Sequence, residues 1–255
     1  MAETLIKVIV AGARGRMGAE AVRAVSRAED MELVACLDRN RAAGAHRPED
    51  VGLAGPFFHS LEACLASVQA DVLIDFTRAS VARTLLPQAV AAGLRPVIGT
   101  TGLTVSELHD LDVQLRLQER LGLYAPNFAI GALLMMRMAE WAARHMDGVE
   151  IIEYHHAGKI DAPSGTAART AQRIEQVREQ MEPNGGARWQ VPIHSVRLPG
   201  FVAHQEVIFG GGGERLTIRH DSMDRTSFMP GVLLAVRTVM KAGAGLIDGL
   251  EHVLW

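Results

Sequence analysis

Hydrophobic residues fall along this chain in two rhythms. Up to residue 125, short apolar runs alternate with stretches of helical period. Residues 6–11, 32–37, 72–76, 96–98 and 121–125 read as strands, and residues 16–28, 81–92 and 105–120 as the helices between them. Strands that are apolar at consecutive positions leave no face for water. They therefore belong to a parallel sheet with helices on both sides. Gly93 suits the position just past a helix, and Pro96 starts the next strand.

After Pro126 the pattern changes. Residues 128–145 form one long helix rich in Ala, Leu and Met, followed by a strand at 149–156 and a helix from Gly165 to about Gln180. A polar loop beginning Glu182-Pro-Asn-Gly-Gly leads to strands at 191–198 and 205–209, and the glycines from Gly210 to Gly213 turn the chain into a strand at 215–220. Strands joined by tight turns predict an antiparallel or mixed sheet. A last helix at 230–242 is apolar enough to return to the first half or to the hinge between the halves. The expected organisation is α/β in two domains. A doubly wound sheet occupies residues 1–126 with 228–255 returning to it. An α+β mixed-sheet domain at 127–227 carries a substrate site or an oligomer interface.

Composition narrows the function classes. With 48% hydrophobic and 22% charged residues the chain is a globular protein rather than a disordered one. A net charge of -3 gives no whole-chain signal for nucleic acid or an anionic membrane. No apolar run approaches the roughly 20 residues of a membrane span. The first residues pass directly into a strand, leaving no room for a signal peptide, so a cytoplasmic location is expected. Cys36 and Cys64 lack CxxC spacing, which argues against a disulfide framework or a zinc site, and no metal is expected. Of 26 basic residues only Lys7, Lys159 and Lys241 are lysines. A lysine inside a motif is then notable, because lysine can give up a proton and arginine cannot.

The first motif is Gly12-Ala13-Arg14-Gly15-Arg16-Met17-Gly18 between the first strand and its helix. Gly12 permits a tight turn, Gly15 lets backbone approach a pyrophosphate, and Gly18 allows close helix packing. The helix start offers free N–H groups to phosphate. Arg14 stands where the usual pattern has its middle glycine. Asp38, twenty residues after Gly18, can accept hydrogen bonds from ribose hydroxyls, whereas Arg39 can pair with a 2′-phosphate. These features predict a Rossmann-like dinucleotide-binding half open to NADH and NADPH. Three more loops follow strands at the same rim: Phe76-Thr77-Arg78, Gly99-Thr100-Thr101-Gly102 and Ala125-Pro126-Asn127-Phe128.

The densest cluster runs from Glu153 through Tyr154-His155-His156 to Lys159, Asp161 and Ser164-Gly165-Thr166. Adjacent histidines on a strand face opposite ways, so His155 and His156 share a site only where the strand ends. Lys159 can hold a carboxylate or deliver a proton. Ser164, Gly165 and Thr166 open a helix after Pro163, and their amides and hydroxyls make a seat for an anion such as a small dicarboxylate. The alternative is purely structural, with Asp161 or Ser164 as a helix cap.

The motifs GxxGRMG, GTTG, APNF and EYHHxxKxDAPSGTA, in this order, resemble those of the 4-hydroxy-tetrahydrodipicolinate reductases (dihydrodipicolinate reductases), enzymes of diaminopimelate and lysine synthesis. The resemblance covers essentially the whole chain. It implies a homotetramer in which NADH or NADPH donates hydride to a cyclic dicarboxylate. It further implies that Gly12, Ala13, Arg14, Gly15, Arg16, Met17, Asp38 and Arg39 hold the dinucleotide. Gly99, Thr100, Thr101, Ala125, Pro126, Asn127 and Phe128 would line the nicotinamide pocket, with Phe76 on the same rim. His155 would donate or accept a proton, Lys159 would be a second donor, and His156, Gly165 and Thr166 would bind substrate, with Ser164 in the same anion seat. Two departures stand out: Ala129 replaces the serine of an APNFS form, and Gln205 replaces a histidine of the second-domain sheet. Arg225 matches an arginine near the return to the first half.

Three rivals make different demands. A reductase of another cyclic imino acid would share the fold and cofactor. A semialdehyde dehydrogenase would need a reactive thiol. A dinucleotide-binding redox sensor would have no use for the His-His-Lys cluster.

Overall fold

In the computed structural model of the chain, residues 4–38, 56–181 and 190–255 are described. The chain divides into two compact units, one of residues 1–128 with 228–255 and the other of residues 129–227.

The first unit opens with β1 (Ile6–Ala11), α1 (Arg16–Arg27), β2 (Met31–Leu37), β3 (Phe57–Phe58) and α2 (Leu61–Leu65). It continues through β4 (Val72–Asp75), α3 (Ala79–Ala91), β5 (Arg95–Ile98), α4 (Val105–Leu117) and β6 (Leu121–Tyr124). The second unit holds α5 (Ile130–Ala142), β7 (Gly148–His155), α6 (Gly165–Met181), β8 (Ile193–Arg197), β9 (Ala203–Gly211) and β10 (Glu214–Ser222). The chain then completes the first unit with α7 (Met229–Val239), β11 (Gly245–Asp248) and α8 (Glu251–Leu254).

The first sheet has the order β11-β6-β5-β4-β1-β2-β3, with every pairing parallel. Ile9, Leu73 and Ile98 point to one side and pack with Leu86 and Val90 of α3 and Leu111 and Leu115 of α4. Val8, Val10, Ile74 and Val97 alternate to the other side, and α1 and α7 pack together in this unit against the sheet. Burial on both faces explains the unbroken apolar runs. The chain leaves β1 in one direction for β2 and β3 and returns on the other side for β4, β5 and β6. This reversal opens a crevice at the carboxyl ends of β1 and β4, where such sheets bind ligands.

The second sheet is mixed, in the order β10-β9-β7-β8, with only β7 and β8 parallel. Helices α5 and α6 pack together and against its strands. The buried row on that side includes Ile151 and Glu153 of β7 and Gln205, Val207 and Phe209 of β9. Tyr154, Glu206 and Arg219 alternate to the opposite face.

The periodicity anticipates most elements, but their ends move in both directions: β9 and β10 run longer than expected, and Gly210 and Gly211, expected in the turn, lie in β9. The helix expected to reach residue 120 stops at Leu117, where the chain soon enters a left-handed conformation at Glu119 (φ 52). The helix expected at 128–145 spans Ile130–Ala142, because Phe128 stays in the first unit with its ring against Phe76. β3, α2, β11 and α8 carry no period long enough to read. β11 sits between glycines at positive φ, Gly243, Gly245 and Gly249, so it looks like a loop in the sequence while extending the sheet beside β6. The polar loop at 182–189 lies outside the described residues.

Candidate functional site

β1 delivers the chain into a turn closed by the Gly15 N–H donating to the Gly12 carbonyl at 2.8 Å. Gly12 has φ +74, and a Cβ there would stand 2.5 Å from the Phe76 carbonyl oxygen. A Cβ at Gly18 would stand 2.0 Å from the Gly12 oxygen. The turn is thus seated on the end of β4, with α1 rising directly from it. Gly15 is the N-cap of α1 and provides no side-chain bond, so the amides of the first helical turn face outward with the positive end of the helix dipole.

Asp38 follows β2, and its Oδ2 accepts the Arg14 N–H at 3.2 Å. The Arg14 guanidinium lies 5.0 Å from the centre of the Phe57 ring, so this side chain leaves the turn rather than filling it. That is how an arginine is tolerated at a usual glycine position. Arg39 lies outside the described residues. A cavity of about 980 Å³ at the switch point is lined by Gly12, Gly15, Asp38, Thr77 and Arg78, among others. Main-chain amides at one end and a carboxylate at the other suit the phosphates and ribose of a dinucleotide.

The rest of the rim is built from strand ends. Asp75 is fully buried, and its Oδ1 accepts both the N–H (3.1 Å) and hydroxyl (2.6 Å) of Thr77, fixing the corner after β4. Burial pushes its carboxyl up, while the Thr77 bonds pull the other way. A Cβ at Gly99 would meet the Phe76 ring at 2.1 Å, so only glycine lets that ring lie beneath the loop. Phe128 meets Phe76 edge to face with ring centres 5.9 Å apart. Phe76, Gly99 and Phe128 are therefore one wall, with Ala125 held by its N–H on the Ile98 carbonyl at 3.0 Å and Thr100 buried beside Asp75. Asn127 is half-buried, and Thr101 and Pro126 are exposed.

In the second unit the organiser is Glu153, which has no exposed surface. Arg197 of β8 grips it with two bonds, Nη1 to Oε2 at 2.8 Å and Nη2 to Oε1 at 2.6 Å. The Ser164 N–H donates to Oε1 at 3.1 Å, and His155 Nδ1 contacts Oε2. Burial alone would raise the Glu153 carboxyl, but bonds from Arg197, Ser195 and His155 outweigh it and hold the pKa at about 2. His155 is the last residue of β7, so His156 escapes the alternation of the strand. The Lys159 N–H then donates to the His156 carbonyl at 3.0 Å. Burial lowers the His155 pKa, Glu153 opposes that shift, and the nearby Lys159 and Arg197 add to it.

Lys159 Nζ binds both oxygens of Asp161, at 2.8 and 2.7 Å, and holds that carboxyl below its usual range. Arg197 Nη2 also donates to the Asp161 carbonyl at 2.8 Å. Ser164 is buried, and its hydroxyl accepts the Ala167 N–H at 3.2 Å. It is the helix cap, a role Asp161 does not take. Its hydroxyl holds the turn together rather than lining its mouth. A Cβ at Gly165 would meet nothing within 4 Å, so open space lies against the helix start, and Thr166 beside it is half-buried.

Sequence reasoning missed Glu153, Arg197 and Asp75 as organising residues. Glu153 carried a signal, a carboxylate at a position shared with inward-facing Ile151. Arg197 lies too far along the chain to be paired with it by spacing. Of the two departures, Ala129 leaves α5 without a side-chain cap, and Gln205 is buried with its amide donating to the Thr170 hydroxyl of α6 at 2.9 Å. Cys36 and Cys64 are buried, and burial pushes their thiols up to about 12 and about 11, the wrong direction for the nucleophile of a semialdehyde dehydrogenase. Among the described residues no group of three or more His, Cys, Asp or Glu could hold a metal, and no helix is long and apolar enough to cross a membrane.

Residues 6–128 match the family model for the N-terminus of dihydrodipicolinate reductase, and residues 131–254 that for its C-terminus. Over an alignment 264 positions long, the chain is 50% identical to the 4-hydroxy-tetrahydrodipicolinate reductase of Geobacillus thermodenitrificans (strain NG80-2), covering 98% of this chain and 99% of the relative. The enzyme of the same name from Halalkalibacterium halodurans is 46% identical, with 98% and 100% covered. A solved structure, dipicolinate-bound dihydrodipicolinate reductase from Paenisporosarcina sp. TG-14, superposes with a TM-score of 0.83 at 41% identity, covering 98% of this chain and 99% of that one.

Proposed function

The chain belongs to the dihydrodipicolinate reductase family, and from that premise we propose how its residues divide the NAD(P)H-dependent reduction of 4-hydroxy-tetrahydrodipicolinate to tetrahydrodipicolinate. The reaction is a step of lysine and diaminopimelate synthesis. NADH or NADPH supplies the hydride when bound. The amides from Gly12 to Met17 hold the pyrophosphate, and the two close backbone contacts at Gly12 and Gly18 support this fit. Asp38 accepts from the adenine ribose, and Arg39 beside it pairs with the 2′-phosphate of NADPH. Phe76, Gly99, Thr100, Thr101 and the loop from Ala125 to Phe128 line the nicotinamide pocket.

The substrate brings two carboxylates, and its reduced ring needs a proton. Lys159, His156 and the amides of Gly165 and Thr166 receive the carboxylates. Lys159 must leave Asp161 to do so. The Asp161 side chain is 63% exposed and that of Lys159 20%, so the exchange trades one carboxylate for another at the same ammonium and returns Asp161 to water. His155 donates the proton, with Lys159 as a second donor. Burial lowers the His155 pKa in the free protein, and the negative charge of an arriving dicarboxylate would pull it back up, toward the protonated form that a donor needs. The observation that carries this reading is the meeting of His155, the Lys159 turn and the Gly165 helix start around one buried carboxylate, Glu153.

The test is oxidation of NADH or NADPH with freshly made product of dihydrodipicolinate synthase. Wild type should turn over, and Lys159→Ala should lose about 10²-fold or more in kcat. An unchanged Lys159→Ala rate would remove Lys159 from the reaction.

For the assembly, the second sheet offers a candidate surface. The face of Tyr154, Glu206 and Arg219 turns away from α5 and α6, and it is knitted by Tyr154 to Glu206 (2.8 Å) and Arg219 to Glu206 (2.7 Å). We read it as the surface joining a homotetramer, which sedimentation at the mass of four chains would support and a monomer would reject. The protein works in the cytoplasm on a small molecule, without nucleic acid or membrane.

A further inference from the structure

Resting on the reading of His155 as the proton donor, we propose that Glu153, locked by Arg197, is a positioning residue that fixes the His155 ring with Nδ1 protonated and Nε2 as the atom that exchanges protons. Glu153 has no exposed surface and takes two bonds from Arg197 and one from the Ser164 amide, so its carboxylate has little freedom to turn. It touches His155 only at Nδ1. An ionised carboxylate accepts hydrogen bonds and donates none, so Nδ1 must carry a hydrogen. In the neutral ring that leaves Nε2 bare. In the charged ring both nitrogens are protonated, and the proton given to substrate leaves from Nε2 while Nδ1 keeps its own. The charge of His155 falls from plus one to zero, and Glu153 stays ionised throughout.

The same carboxylate sets the geometry of the whole turn. Its Oε1 holds the Ser164 amide at the start of α6, and its partner Arg197 holds the Asp161 carbonyl in the loop that follows Lys159. His155 at the end of β7, the Lys159 turn and the Gly165 helix start are therefore tied to one point. Without Arg197 the buried carboxylate would lose its main partner. Without Glu153 the ring of His155 could turn, and Arg197 would stand beside it uncompensated.

The sign of the electrostatic effect is fixed by the groups that face His155. These are Glu153 on its own strand, Arg197 on β8 and Lys159 on the following loop, while Ala203 lies opposite on β9. Glu153 is the one that favours the charged ring. Replacing it with glutamine removes that support and leaves two cations, so His155 becomes harder to protonate. A donor that must be charged then fails at lower pH.

Glu153→Gln is expected to fall about 10- to 10³-fold in kcat, as when a carboxylate orienting a histidine is lost, with NADH affinity unchanged. The high-pH limb of kcat/KM should move to lower pH, and Glu153→Asp, which keeps the charge, should restore the limb. A purely structural carboxylate would lower the rate without moving the limb, and that result overturns the proposal. If the glutamine variant does not fold, nitrogen NMR of wild-type His155 decides. Hydrogen on Nδ1 in the neutral ring supports the clamp, and hydrogen on Nε2 overturns it. His155→Ala separates the two levels. If that variant keeps its turnover, the reading of His155 as donor fails. If it loses turnover while the Glu153→Gln limb stays in place, only the clamp fails.

Discussion

Gly12 in the first unit and Gly165 in the second both stand at or just before the start of a helix, α1 and α6, that we propose offers its first amides to an anion. A methyl group at Gly12 would strike the Phe76 carbonyl at 2.5 Å, and one at Gly165 would meet nothing within 4 Å. The first site is built on a backbone turn, with turn, strand end and helix in direct contact, the Arg14 side chain turned onto Phe57 and the Asp38 carboxylate at one end. The second is made of charged side chains around Glu153, with open space where a ligand would lie. On the proposed reading, the backbone cradle holds a group that every turnover shares. A charged cluster can change its protonation, which chemistry requires. On that reading, the difference between the halves is one between holding and reacting.

The comparison can be broken at either glycine. The largest effect is expected from Gly12→Ala, which combines a positive φ with a clash against backbone. It should lower stability by about 2 kcal/mol or more and weaken NADH binding by about 10²-fold, read by thermal unfolding and equilibrium titration. Unchanged NADH binding would show that the cradle is not where the dinucleotide sits. The smaller effect is expected from Gly165→Ala. The space is open and alanine favours a helix, so stability should hold or rise by about 0.5–1 kcal/mol and NADH affinity should not change. The added methyl beside the exposed amide should raise the substrate KM by about tenfold or less, with little change in kcat. A Gly165→Ala variant that bound NADH poorly would erase the distinction between the two halves.

The two halves also differed in how openly the sequence displayed them. The parallel sheet was legible because strands buried on both faces are apolar at every position, as in the run from Val8 to Val10. The glycine turn was legible because its chemistry is local, confined to seven residues. The cluster from His155 to Thr166 was visible for the same reason. Glu153 and Arg197 were not, because their bond joins β7 to β8 across 44 residues and depends on strand register. Asp75 was hidden in an apolar strand, where a lone carboxylate has no periodic signature. β11 is too short, and too enclosed by glycine, to show a period.

The central claim is that one half binds the coenzyme and the other half performs the proton transfer. Equilibrium titration of NADH into His155→Ala and Lys159→Ala, alongside their turnover, tests it most directly. Both variants should bind NADH within about twofold of wild type while kcat drops by about 10² or more. Loss of NADH binding in both folded variants, in step with the loss of turnover, would contradict it.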